Sequence, residues 1–282
     1  MNSALSLERS SAPAGSSVTK PVRAGRRSLT NLLMPLERTA ATSLHLMANH
    51  GARFEHDGEA YEIPRYLFVG PKGGDESLRI GIFAGVHGDE PEGTHALIQF
   101  LAMLAREPRL ATGYALFAYP ICNPTGVEDG TRHSRNGKDL NREFWRNSAQ
   151  PEVRLLESEL VAHSFHGVIA LHTDDTSHGF YGFAQGATLT RHLLEPALKA
   201  AAQFLPRNGD DQIDGFPARN GVIRTCYDGV LSGPPGVRPR PFEITLETPK
   251  AAPNYLKDAA SVAALGAILA EYRAFIAHGA NL

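Results

Sequence analysis

Leu78-Arg79-Ile80-Gly81-Ile82-Phe83-Ala84-Gly85-Val86-His87-Gly88-Asp89-Glu90-Pro91-Glu92-Gly93 changes character within sixteen residues. Its first half is an apolar, strand-like run, and Pro91 suits the first position of a helix that the pattern extends over 90 to 106. A strand passing at once into a helix is the unit of a parallel sheet with helical crossovers. The same alternation recurs down the chain. Strand-like runs RYLFVG, YALFAYPI, GVIALHT, FYGFA and FEITLET are separated by helical stretches at 151 to 163, 188 to 203 and 253 to 277. Ahead of them come a helix near Pro35 and a hairpin turning at Asp57-Gly58. The reading is one α/β domain over residues 31–282, a mostly parallel mixed sheet with helices on both faces. In such sheets ligands bind beyond the carboxyl ends of the strands, where His87 falls.

Bulk properties fit a single globular domain. The chain has 282 residues, 42 % hydrophobic and 21 % charged, with a formal net charge of -2 and a pI near 6.6. That balance gives no basic surplus for nucleic acid or an anionic membrane, so the expected partners are small molecules or peptides. Residues 1–30 are rich in Ser, Ala and Arg with few large apolar groups, which predicts a disordered tail; the same bias also fits a transit peptide. Neither a spanning run of ~18 apolar residues nor the apolar stretch of a signal peptide is evident, so a cytoplasmic location is expected. The two cysteines, Cys122 and Cys226, read as reduced core thiols.

His87 and Glu90 stand three residues apart on the turn into the helix, so an imidazole and a carboxylate can converge on one metal ion, for which zinc is the natural candidate. The bare His-x-x-Glu spacing is weak, since it occurs three times: His56/Glu59 flanks the Asp-Gly turn and His192/Glu195 lies in an amphipathic helix, both reading as solvated surface. Only His87/Glu90 ends a buried strand. His172 closes the apolar run 167–171, where a neighbouring strand delivers a third ligand to the same sheet edge. Three ligands and an open position describe catalytic zinc. His178 and His133 in loops, and His166 between helix and strand, are the competitors.

Asn123-Pro124-Thr125-Gly126, Thr131-Arg132, Lys138-Asp139-Leu140-Asn141-Arg142-Glu143-Phe144 and Ile244-Thr245-Leu246-Glu247-Thr248-Pro249 follow in an order that resembles the zinc carboxypeptidase family. The resemblance covers roughly residues 55 to 250 and extends to the related succinylglutamate desuccinylases and aspartoacylases. It implies one zinc per chain on His87, Glu90 and His172, with Asp139 orienting a ligand histidine. It implies that Asn141 and Arg142 grip a terminal carboxylate, for which the guanidinium fork is suited. Arg132 resembles the arginine that polarises the scissile carbonyl, with Arg135 as its rival. Glu247 matches the catalytic glutamate that takes a proton from water, and Glu243, on the same strand face, is the alternative. Tyr227 falls about where a tyrosine covers the substrate, and the loop 229–240 is expected to select the terminal side chain.

The expected activity is therefore zinc-dependent hydrolysis of a C-terminal peptide or amide bond beside a free carboxylate. The nearest alternative is an N-acyl amino-acid deacylase, whose relatives add a carboxyl-terminal β domain where this chain reads as one helix after Glu247. A metal-free binding module is the third reading, disfavoured because ligands, base and arginines are all present.

Overall fold

The computed structural model describes residues 25–49, 51–73 and 77–279. Helix α1 (Leu29–Thr42) is capped by Ser28, whose Oγ accepts from Asn31 N–H at 3.2 Å. Strand β1 (Leu46–Asn49) and the hairpin β2 (Arg53–His56) and β3 (Glu59–Glu62) lead to β4 (Arg65–Val69) and β5 (Leu78–Ala84). Then come α2 (Pro91–Arg106), β6 (Tyr114–Tyr119), α3 (Pro124–Asp129), α4 (Pro151–His163), β7 (Gly167–Asp174) and β8 (Tyr181–Ala184). Helix α5 (Ala187–Leu189) runs through a π turn at Thr190–Leu194 into α6 (Glu195–Ala201). Short strands β9 (Gln212–Ile213), β10 (Phe216–Arg219) and β11 (Val222–Ile223) precede β12 (Phe242–Pro249) and α7 (Asn254–Gly279).

Ten strands form one sheet in the order β1-β4-β6-β5-β7-β12-β8-β11-β10-β9. Its four central strands, β6, β5, β7 and β12, run parallel, and antiparallel pairings flank them. Residues Gly167–Thr173 of β7 are all buried, which explains why this strand reads as a continuous apolar run. Alternation sends Ile80, Ile82, Ile169 and Ile244 to one face, where α1, α2, α6 and α7 pack, and Phe83, Phe117 and Val168 to the other, under α4. On α2, Leu97, Phe100, Leu101 and Leu104 repeat at helical spacing and are fully buried. At roughly 1.5–3 kcal/mol for each such side chain, docking of this face rather than intrinsic propensity holds the helix.

Several expectations shift. Of the tail expected over 1–30, residues 1–24 lie outside the described residues, while Arg26 pairs with Glu128 and Asp129 and Arg27 N–H bonds Glu128 O at 2.7 Å. Cys122 is buried, but Cys226 is exposed and so is not a core thiol. Segment Asn254–Ala277 is, contrary to expectation, long and apolar enough by length and composition to cross a membrane. Here its Ala260, Ala264, Leu265, Ile268 and Leu269 lie in the core. Elements β1, α3 and β9 to β11 have no counterpart in the sequence reading.

Candidate metal and substrate site

The loop after β5 reverses tightly because Gly85 adopts φ +63° and Gly88 lies flat against α3: a Cβ on Gly88 would meet Gly126 C at 1.9 Å. Asn123 secures this contact from the other side. Its Oδ1 caps α3 by accepting from Gly126 N–H at 2.9 Å, its Nδ2 donates to Val86 O at 3.3 Å, and Pro124 takes the first helical position. The asparagine-proline motif is thus a brace for the loop that carries His87 and Glu90.

β5, β7 and β12 are neighbours, so His87 after β5, His172 on β7 and Glu247 on β12 come to one edge of the sheet. Glu247 is paired in register with His172. His87 Nδ1 lies 2.6 Å from Glu90 Oε1 and His172 Nδ1 lies 2.9 Å from Glu90 Oε2. One ligand atom from each of the three residues falls within 4.8 Å of the others, and all three are buried. Thr173 N–H donates to Glu90 Oε2 at 3.1 Å.

Asp139 ties His87 to Arg132. Its Oδ1 accepts from His87 Nε2 at 3.1 Å and from Asn141 N–H at 3.0 Å, and its Oδ2 accepts from Arg132 Nε at 3.2 Å and Nη2 at 3.1 Å. Because an ionised carboxylate only accepts, Asp139 accepts a hydrogen bond from His87 Nε2, and in the neutral imidazole this would leave the Nδ1 lone pair for a metal. Burial disfavours the charged form of both imidazoles; for His172 it prevails and lowers the pKa, whereas for His87 the bonds to Asp139 and Glu90 outweigh it and raise the pKa. Burial likewise opposes ionisation of Glu90 and Asp139, yet their histidine partners hold both carboxyls well below the usual range. Two imidazole nitrogens and an ionised carboxylate at this separation suit a tetrahedral metal such as zinc. Among the described residues, buried His172 Nε2 has no hydrogen-bond partner, unlike its counterpart on His87.

A cleft of about 240 Å³ opens over these residues and is also lined by Arg132, Asn141, Arg142, Tyr227 and Glu247. Burial, followed by the charges of Glu90, Asp174 and Asp214, pushes the Glu247 carboxyl well above its ordinary value, against the opposing pull of Arg132. Glu243 faces elsewhere: its Oε1 accepts from Gly233 N–H at 2.9 Å and its Oε2 from Arg240 at 3.0 Å, beside a second cavity of about 460 Å³. Asn141 Oδ1 accepts from Leu231 N–H at 2.9 Å. Arg142 donates to Asn141 O at 2.8 Å and stacks 4.0 Å over the Tyr227 ring; among the described residues no carboxylate pairs with it. Its fork therefore retains donors for a ligand.

Arg135 does not reach the cleft. Asp129, Glu128 and Tyr61 engage its guanidinium, with Asp129 at 2.8 Å, which removes it as the rival of Arg132. Among the competitor histidines, His166 Nδ1 accepts from Arg79 N–H at 3.0 Å, and His178 and His133 do not line the cleft. The His56/Glu59 pair is not simply solvated, since Glu59 meets Arg26 at 3.3 Å and Tyr61 at 2.9 Å.

Asp174 and Asp214 are among the cleft residues given no role in the sequence reading. Asp174 ends β7 and accepts from Thr176 N–H at 2.7 Å and Tyr181 OH at 2.8 Å. Asp214, with φ +52°, turns the β9–β10 hairpin with Gly215. The Asp-Gly pair was the available signal for that turn.

Residues 77–208 match the succinylglutamate desuccinylase/aspartoacylase catalytic-domain family. No curated protein sequence matches. Among solved structures, a candidate metallopeptidase from Shewanella baltica is similar at TM-score 0.72 and 23 % identity, covering 86 % of this chain and 91 % of that one. A metallo-carboxypeptidase from Burkholderia cenocepacia is similar at TM-score 0.68 and 18 % identity, over 88 % of this chain and 70 % of that one. One from Pseudomonas aeruginosa, in complex with (2-guanidinoethylmercapto)succinic acid, is similar at TM-score 0.65 and 18 % identity, over 88 % and 69 %. The chain therefore shares the fold of the metallo-carboxypeptidase structures, and its residues 77–208 match the succinylglutamate desuccinylase/aspartoacylase catalytic-domain family.

Proposed function

We propose that the protein is a zinc-dependent metallocarboxypeptidase that hydrolyses an amide bond beside a free carboxylate. The observation that carries this reading is the convergence, in one cleft, of the His87–Glu90–His172 donor set, the half-buried Glu247 carboxyl and an Arg142 fork with no carboxylate partner among the described residues. A zinc ion on that donor set supplies Lewis acidity toward water and the scissile carbonyl. Arg142 binds the substrate carboxylate and so fixes which amide lies over the buried end of the cleft. Arg132, held to Asp139 at 3.1 Å, presents positive charge where the carbonyl oxygen gains negative charge. Glu247 takes a proton from the attacking water at a carboxylate oxygen and delivers it to the leaving amine nitrogen, so that one water adds across the amide bond.

Deacylation of an N-acyl amino acid uses the same groups, and the family match over 77–208 favours it as the second reading. The test is a substrate panel with added zinc: free-carboxylate dipeptides, γ-linked and murein-type peptides, N-acyl amino acids, and the amide of each. Turnover of peptides with a free terminal carboxylate, lost on amidation, is expected. Turnover confined to N-acyl amino acids would replace the first reading with the second, and equal turnover of acids and amides would reject both.

A further inference from the structure

We infer that Tyr227, anchored by Asp214, is a positioning residue that holds the Arg142 guanidinium ready for a substrate carboxylate. This rests on the assignment of Arg142 as the carboxylate clamp. The Tyr227 hydroxyl sits between Asp214 O at 2.8 Å and Asp214 Oδ1 at 3.0 Å, so its single proton is held by the hairpin turn. Phe216, two residues further along the same hairpin, packs its ring against Tyr227 at 4.6 Å and 73°. The guanidinium carbon of Arg142 lies 4.0 Å from the Tyr227 ring centroid, within cation–π range.

The loop that carries Tyr227 is also fastened to the arginine through the main chain. Phe144 N–H donates to Gly229 O at 3.0 Å, and Leu231 N–H donates to Asn141 Oδ1 at 2.9 Å. Gly229, at φ +75°, lies so close that a Cβ there would meet Arg142 O at 2.4 Å. A tyrosine tied at its hydroxyl, its ring and its backbone is a fixed platform, not a cover that swings over the substrate. Stacking leaves the edge of the guanidinium, where its N–H donors lie, free for bidentate pairing. Without the platform, Arg142 retains one intramolecular bond, to Asn141 O, and must be ordered at the moment of binding.

The test measures the preference for an acid over its amide in zinc-loaded, full-length protein carrying Glu247→Gln to suppress turnover. Calorimetry compares N-benzoylglycyl-L-phenylalanine with its C-terminal amide, and circular dichroism confirms folding. Arg142→Ala should abolish the preference. Tyr227→Phe, which keeps the ring and removes the hydroxyl, should reduce it about three- to tenfold, and Tyr227→Leu at least tenfold. Asp214→Asn should retain it, because the carboxamide oxygen still accepts from the hydroxyl and asparagine tolerates a positive φ. Full preference in both Tyr227 variants, alongside its loss in Arg142→Ala, overturns the platform. An unchanged preference in Arg142→Ala overturns the clamp assignment, and the inference falls with it.

Discussion

Replacing Asp139 by alanine isolates the residue that joins His87 of the proposed metal site to Arg132. Its Oδ1 holds His87 Nε2 at 3.1 Å and its Oδ2 holds Arg132 Nη2 at 3.1 Å. With the carboxylate gone, the His87 ring loses the acceptor that would direct its Nδ1 lone pair at a bound metal. Arg132, already 3.5 Å from Glu90 Oε1, is also freed to compete for the ligand carboxylate. A charge-assisted hydrogen bond contributes about 1.5–3 kcal/mol. At about 1.4 kcal/mol per tenfold, zinc affinity should fall roughly 10- to 100-fold, the range found when partners of ligating histidines are removed. Asp139→Asn keeps an acceptor without the charge and should lie between the parent and the alanine variant. Chelator competition at equilibrium reads the affinity, and thermal melts of the zinc-free proteins check that folding is intact. A zinc affinity for Asp139→Ala within twofold of the parent would refute the role assigned to this carboxylate.

Glu247→Gln should retain zinc while kcat falls about 10²- to 10⁴-fold with KM little changed, as expected for loss of a general base. Glu243→Gln should keep most of the turnover, because that side chain bonds Gly233 N–H at 2.9 Å and Arg240 at 3.0 Å, outside the cleft lining; the reverse outcome would place the base at Glu243. A third prediction concerns acid stability. Burial opposes ionisation of Glu159, but bonds from His163, Tyr119 and Arg65 outweigh it and bring its carboxyl down to about 2. A folded pKa below the unfolded one stabilises the protein above the unfolded value of about 4.3, and that contribution is lost as pH falls from there toward about 2. Urea midpoints of Glu159→Gln should therefore vary less across that window than those of the parent; identical slopes would count against the assignment.

The main strands and helices were legible because each carries an unbroken pattern, as in the fully buried Gly167–Thr173 segment and the Leu97–Leu104 face of α2. Strands β9 and β11 have two residues each, too few for a period to show, and α3 has six. His87 and Glu90 stood out because they mark the passage from strand to helix, which local sequence records. Arg132 and Arg135 lie three residues apart in one loop and differ only in their partners, Asp139 for one and Glu128 with Asp129 for the other. Those partners are brought by tertiary packing, so spacing alone could not separate the two arginines. Asp214 was within reach, since Asp214-Gly215 repeats the signal that revealed the Asp57-Gly58 turn. Its place in the cleft depends on β10 and β11 carrying the hairpin back to the sheet edge.

The proposed function requires that His87, Glu90 and His172 together bind a catalytic zinc ion. It is tested most directly by zinc stoichiometry, measured by elemental analysis after reconstitution and exhaustive dialysis, for the parent and the three single alanine variants. About one zinc per chain is expected in the parent and a large loss in every variant, since three protein ligands define such a site. A parent that retains no zinc, or a folded variant that holds it as tightly as the parent, would contradict it.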